Sequence, residues 1–119
     1  MAASRSSVDQ FLPLRPALYL ILLTLRDGDC HGYAIKKDVL RRTGGQVKLG
    51  PGTLYRSIRQ LEERGLIVET EDRPQAVLDD ERRRYFRITP LGRLVATAET
   101  ERLSQLVEAA RATTHPRNR

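Results

Sequence analysis

The chain has 119 residues, a formal net charge of +6 and 39% hydrophobic residues, which predict one small domain with a modest core. Its longest apolar run, Ala17 to Leu25, is far shorter than the roughly 20 residues of a membrane span, so a membrane-spanning protein is excluded. Cys30 is the only cysteine, which rules out an intrachain disulfide and fits a reducing, cytoplasmic location. The basic excess favours a polyanionic partner such as nucleic acid, although charge also serves solubility alone.

Two helices are expected in the first third of the chain, after a flexible N-terminal arm over residues 1–10. The segment from Pro16 to Arg26 is apolar nearly all round, so it is predicted to be a buried core helix. A second helix is predicted over about Gly32 to Arg42, where Ile35 and Val39 share one face and basic residues occupy much of the rest.

The most informative segment runs from Gly50 to Ile67 and predicts a short helix with clear ends. Pro51 suits the first helical position, and Gly65 suits the left-handed position just past the last turn. The helical repeat separates an apolar side from a polar, mostly basic side. The apolar side holds Leu54, Ile58 and Leu61, and the polar side holds Arg56, Arg59, Gln60 and Glu63. A helix of this kind, preceded closely by another helix, is predicted to read the major groove of DNA.

The periodicity changes to that of strands after Gly65. Leu66 to Thr70 and Arg84 to Ile88 predict the two strands of an antiparallel β-hairpin, joined by a long polar segment over 71–83. A hairpin directly after a reader helix is a wing. The predicted fold is therefore mainly α with a small antiparallel β-hairpin, forming a winged helix-turn-helix DNA-binding domain over residues 11–89.

A last helix is predicted over residues 90–112, followed by a disordered tail over 113–119. Thr89 is expected to cap the helix, and Pro90 suits its first position. A first apolar stripe, expected to pack on the chain's own domain, holds Leu91, Leu94, Val95 and Ala98. A second stripe, displaced around the axis and expected to form a homodimer, holds Leu103, Leu106, Val107 and Ala110.

Three motifs in this order suggest a known family. They are His31 to Ile35, then Pro51 to Tyr55 with Leu61 to Ile67, and finally Arg83 to Thr89 followed by Gly92. With them, the sequence over about residues 12–110 resembles the PadR family of bacterial transcriptional regulators, in the short form with one C-terminal dimerisation helix. The resemblance implies a dimeric winged-helix repressor that binds a palindromic double-stranded DNA operator and is released by a small-molecule effector near the dimer interface. Gly50 departs from the family, which often has serine there.

Arg56 and Arg59 are the leading candidates for reading bases, because arginine pairs bidentately with guanine. The alternative is a solvated face in which Arg59 pairs with Glu63 one turn away. Tyr55 is predicted either to contact phosphate or to pack at the rim of the core. The remaining expected DNA contacts, largely to the backbone, are Lys36, Lys37, Lys48, Gly52, Thr53, Gln60, Arg73, Arg82, Arg83 and Arg84. The acidic turn Asp79-Asp80-Glu81 in the wing would repel phosphate.

No catalytic constellation is visible, so the chain is not predicted to be an enzyme or to hold a cofactor. Cys30 and His31 are adjacent but too few to bind a metal ion; the first is expected to be a small, half-buried residue, and the second to help start the second helix. The mixed charges of the wing keep one alternative open, in which the winged helix binds another protein and no specific DNA sequence.

Overall fold

The computed structural model describes residues 5–71 and 84–112 of the chain. Within these ranges the elements are α1 (Arg5–Asp9), α2 (Pro16–Arg26), β1 (Cys30–His31), α3 (Gly32–Arg42), α4 (Pro51–Glu63), β2 (Ile67–Thr70), β3 (Tyr85–Ile88) and α5 (Pro90–Ala112). The predicted mainly helical fold with a small antiparallel sheet is confirmed. The wing segment 72–83, with Arg73, Arg82, Arg83 and the acidic turn, and the predicted tail 113–119 lie outside the described residues.

The centre of the core is α2, as its nearly continuous apolar sequence predicts. Ile21, Leu22 and Leu25 have no exposed surface, because α3, α4, α5 and β3 all contact this helix. From α4, Leu54, Ile58 and Leu61 all point into the same core.

The N-terminal segment differs from the flexible arm predicted over 1–10. Residues Arg5–Asp9 form a short helix that contacts α5. Val8, only 7% exposed, joins the core. A single valine among polar neighbours gives little sequence signal, and its burial depends on α5, which is distant in the chain.

The sheet has three strands in the order β1-β3-β2, all antiparallel. The predicted hairpin corresponds to β2 and β3, whereas β1 was not predicted because two residues show no alternation. Leu66 lies outside β2. Its N–H donates to the carbonyl of Leu61 at 2.9 Å, while Gly65, at φ 77°, donates to Glu62 at 3.0 Å. These two bonds form a Schellman motif, so the predicted role of Gly65 at the end of α4 is confirmed.

The junction between α4, β2 and α5 is closed by Thr89. Its hydroxyl accepts from Gly92 N at 2.9 Å, which confirms the predicted cap, and donates to the Gly65 carbonyl at 2.7 Å. Its own N–H donates to the Leu66 carbonyl at 3.0 Å. A Cβ on Gly92 would lie 2.1 Å from that same carbonyl oxygen, so α5 begins in direct backbone contact with the end of α4.

The buried stripe of α5 is rotated from the predicted one. Leu94 is 45% exposed, whereas Ala96 and Glu99 are buried beside the expected Val95. Glu99 is buried because its carboxylate accepts from Leu14 N at 3.1 Å and from Arg102 Nε at 2.6 Å. The bonds from Arg102, aided by the one from Leu14, outweigh desolvation and hold the pKa of Glu99 below its usual range.

Candidate nucleic-acid interface

The solvent-facing side of α4 carries the residues expected to contact DNA. The helix is fixed by its buried apolar side, so the side chains opposite must project outward. The exposed residues of this side are Gly52, Thr53, Tyr55, Arg56 and Arg59, and Gln60 is half-buried. Their shared exposure makes the α4 face the centre of the candidate interface.

The two arginines of the α4 face are available for an external anion. Among the described residues, neither Arg56 nor Arg59 forms an ion pair with a carboxylate. The pair between Arg59 and Glu63 that the helical spacing permits is not formed. Neither guanidinium group is therefore neutralised by a carboxylate of the described residues, and both side chains are exposed.

Two neighbouring segments add positive charge. Lys36 and Lys37 are exposed on α3, and Lys48 is exposed in the connection before α4. Lys37 Nζ lies 5.5 Å from the centre of the Tyr33 ring, within the range of a cation–π contact. This contact orients the lysine along the surface without neutralising it.

The acidic residue of α3 is neutralised from within the domain. The Asp38 carboxylate accepts from Thr24 Oγ1 at 2.6 Å and from Arg42 Nη2 at 3.0 Å, and it also pairs with Arg41. Burial opposes ionisation of Asp38, but these bonds outweigh it and hold its pKa below the usual range. Because its charge is matched by arginines, Asp38 leaves the field of the lysines intact.

Tyr55 packs against the start of α3 and stays partly exposed, so its contact with phosphate stays a prediction. Its side chain is 48% exposed, yet its hydroxyl approaches the backbone of Gly32 at the start of α3. His31 caps that helix by accepting from Ala34 N at 3.2 Å, as predicted, and packs edge-on against Tyr85 with ring centres 5.2 Å apart. The Tyr55 side chain therefore packs against Gly32 of the His31-Gly32-Tyr33 motif.

Arg84, at the base of the wing, is held by two carboxylates. Its Nε donates to Glu69 at 2.9 Å, and its Nη2 donates to Glu62 at 3.3 Å. Arg84 therefore ties β3 to β2 and α4, and much of its charge is matched. Its contact with DNA stays a prediction.

The second stripe of α5 is exposed in the single chain. Leu106 is 53% exposed and Val107 is 48% exposed; Ala110 is also exposed and Leu103 is half-buried. Large apolar side chains in adjacent helical positions are unusual on a surface that stays in water. The stripe is therefore available for the predicted contact with a second copy.

Arg15 lies beside the α4 face and was not among the residues predicted from the sequence. It stands just before α2, and its Nη2 donates to Gln60 Oε1 on α4. The two residues are 45 positions apart, and the only sequence signal was a basic residue directly before the proline that starts a helix.

The described residues contain no group of three or more His, Cys, Asp or Glu side chains placed to hold a metal ion. Burial, together with the charges of Asp38 and Asp29, raises the pKa of the half-buried Cys30 thiol to about 12, so this thiol is not a reactive nucleophile at neutral pH. None of the helices within 5–71 and 84–112 has the length and apolarity needed to cross a membrane.

A family model and a curated relative both match this chain, and both describe transcriptional regulators. Residues 21–98 match the family model described as the transcriptional regulator PadR-like family. The chain is 34% identical over 86 residues to the transcriptional regulator Rv3488 of Mycobacterium tuberculosis, covering 72% of this chain and 74% of that protein. It is also 34% identical over 90 residues to an uncharacterized 37.1 kDa protein in transposon TN4556 of Streptomyces fradiae, covering 76% of this chain. The match spans only 24% of the length of that relative.

Solved structures share the fold along most of the chain. A transcriptional regulator from Clostridium thermocellum superposes with a TM-score of 0.67 at 24% identity, covering 96% of this chain and 100% of that one. A PadR family transcription regulator from hypervirulent Clostridium difficile R20291 superposes with a TM-score of 0.68 at 23% identity. The superposition covers 83% of this chain and 98% of that one.

Proposed function

Since the chain belongs to the PadR-like family of transcriptional regulators, we propose that it is a repressor that binds a palindromic DNA operator as a homodimer. The observation that carries the proposal is the α4 face, where Arg56 and Arg59 are exposed and lack carboxylate partners among the described residues. Family and fold are those of transcriptional regulators rather than enzymes, and we infer that the protein acts in the cytoplasm.

The exposed stripe of α5 supports the homodimer. In this proposal residues 11–89 form the DNA-binding domain, and α5 joins two copies. A two-fold axis would place two α4 helices about 34 Å apart, which matches successive major grooves on one side of the duplex. The operator would then be palindromic because the protein dimer is symmetric.

Release by a small-molecule effector is the regulatory part of the proposal. An effector that binds only a dimer with a different α4 spacing lowers DNA affinity by shifting the population toward that dimer. The family resemblance supports a site near the dimer interface.

The test is fluorescence anisotropy with a labelled duplex from the promoter of the protein's own gene, with a random duplex as the control. We expect tighter binding to the promoter, and an affinity for both duplexes that falls steeply between about 50 and 200 mM salt, because phosphate contacts release counterions. If the folded protein binds neither duplex at low salt, the proposal is wrong. A weak affinity that does not change with salt would favour a module for protein interaction.

A further inference from the structure

A surface pocket of about 250 Å³ lies between the start of α2 and the α4 face. From α4 it is lined by Thr53, Arg56, Ser57 and Gln60, which are spaced i, i+3, i+4 and i+7 and so form one stripe along the helix. From the other side it is lined by Arg15 and the first turn of α2. Within residues 5–71 and 84–112, no carboxylate lines this pocket, which we call the α2–α4 pocket.

The pocket carries two permanent positive charges. Arginine keeps its proton at any physiological pH, and neither Arg15 nor Arg56 forms an ion pair among the described residues. Arg15 is steadied by its hydrogen bond to Gln60 Oε1. That bond uses one guanidinium nitrogen and leaves further donors for a ligand.

The backbone at the start of α2 adds hydrogen-bond donors and partial positive charge to the pocket. The Arg15 carbonyl accepts from Tyr19 N at 3.1 Å, and no side chain caps the first turn. The N–H groups of Ala17 and Leu18 therefore have no acceptor within the helix. An 11-residue helix also carries partial positive charge at this end.

Ser57 adds a side-chain hydroxyl to the pocket. It is only 7% exposed and lines the pocket, and its hydroxyl has no hydrogen-bond partner within residues 5–71 and 84–112. No fully buried side-chain nitrogen or oxygen of the described residues lacks a hydrogen-bond partner, so the unpartnered hydroxyl of Ser57 must be open to the solvent in the pocket. An acceptor in the pocket would satisfy this hydroxyl.

We propose that the α2–α4 pocket binds one phosphate group. Guanidinium, backbone N–H and hydroxyl donors converge on it from several directions, which suits a tetrahedral anion with three or four acceptor oxygens. The phosphate comes either from the DNA backbone beside the α4 face, in which case the inference rests on the proposed function, or from a free phosphate compound. The first source makes Arg15 and Ser57 backbone contacts on the flank of the reader helix.

The first experiment uses the full chain and inorganic phosphate, so it does not depend on DNA binding. Amide NMR spectra are compared in potassium phosphate and potassium chloride at equal ionic strength and pH. We expect saturable shifts at Ala17, Leu18 and Ser57 with phosphate alone. Arg15→Gln should weaken this binding by about tenfold, because it removes a charged hydrogen bond. Arg26→Gln, at the opposite end of α2, removes the same charge and should change nothing.

The second experiment measures anisotropy with a short random-sequence duplex at several salt concentrations. Arg15→Gln should lower the affinity and reduce the slope of log K against log salt by about 1. Ser57→Ala removes a hydroxyl donor without changing the charge, and alanine is well tolerated in a helix. It should therefore lower the affinity for DNA and leave the slope of log K against log salt unchanged. Arg26→Gln again serves as the charge-matched control.

The outcomes separate the two sources. Reduced DNA affinity in Arg15→Gln and Ser57→Ala, but not in Arg26→Gln, supports a backbone phosphate. Unchanged DNA affinity together with phosphate-specific NMR shifts supports a free phosphate compound. If phosphate shifts the pocket amides no more than chloride does, and all variants bind DNA like the parent, the inference is overturned. A parent protein that binds no DNA contradicts the proposed function, and the NMR result then decides on the pocket alone.

Discussion

The hydroxyl of Tyr55 lies 2.9 Å from the point that a Cβ on Gly32 would occupy, and the ring carbons behind it lie 3.3 and 3.4 Å away. The glycine of the His31-Gly32-Tyr33 motif is thus matched to a tyrosine on the next helix. The contact connects the start of α3 with the α4 face, and it sets the position of an aromatic residue that we propose contacts DNA.

Gly32→Ala is expected to destabilise the protein in the parent background, because the new methyl group displaces the Tyr55 hydroxyl. In the Tyr55→Phe background the closest contact is gone, so the same change should cost less. The coupling between the two changes should be about 0.5–3 kcal/mol, as for residues in direct contact. Thermal or urea unfolding of the four proteins measures it, and additive effects would contradict the contact.

Arg56→Ala is expected to weaken binding to the operator by about 1–3 kcal/mol if the guanidinium reads a base. The reason is that Arg56 is exposed on the α4 face and has no carboxylate partner among the described residues. Anisotropy with operator and random duplexes measures the loss. Arg64→Ala, at the far end of α4, is the matched control. An equal loss on random DNA would show that Arg56 contacts only phosphate, and Arg59→Ala is tested in the same way.

Leu106→Glu is expected to produce monomers, because a carboxylate in an apolar interface would lose its hydration without gaining a partner. Light scattering after size-exclusion chromatography measures the mass. Gln105→Glu is the control, since at about 100° per residue Gln105 lies on the side of the helix opposite the middle of the second stripe. Dimers that persist in Leu106→Glu would refute the assignment of the second stripe.

Glu99→Gln is expected to lower stability at neutral pH by about 1 kcal/mol, because the amide keeps an acceptor for Leu14 N but loses the charged bonds from Arg102. The folded-state pKa of Glu99 is lowered, so its contribution is present above the unfolded pKa and is lost as pH falls through the folded value. The stability difference between parent and variant should therefore shrink below about pH 4.3. Urea titrations across that range measure it. Glu108→Gln, exposed on the same helix, should show no such difference at any pH.

The local parts of the fold were predictable because local chemistry decides them. Pro51 and Gly65 set the ends of α4, and its apolar repeat decides which side is buried. Thr89 was recognisable as a cap because a hydroxyl before a proline at the first helical position is a common helix start.

The parts that escaped prediction depend on partners distant in the chain. Glu99 is charged and was not assigned to the core, but Leu14, 85 residues away, supplies a donor that makes its burial favourable. Arg15 joined the α4 face only through Gln60. Strand β1 exists because β3 offers its edge to Cys30 and His31, and a two-residue strand carries no pattern of its own.

The contact between Gly92 and the Leu66 carbonyl has a mechanical consequence. Together with the hydrogen bonds of Thr89, it joins the segment just after α4 directly to the start of α5. We therefore expect a rotation of α5 to move α4 with it. In the proposed homodimer, a small change in the angle between the two α5 helices would then change the distance between the two α4 helices, which we propose contact DNA.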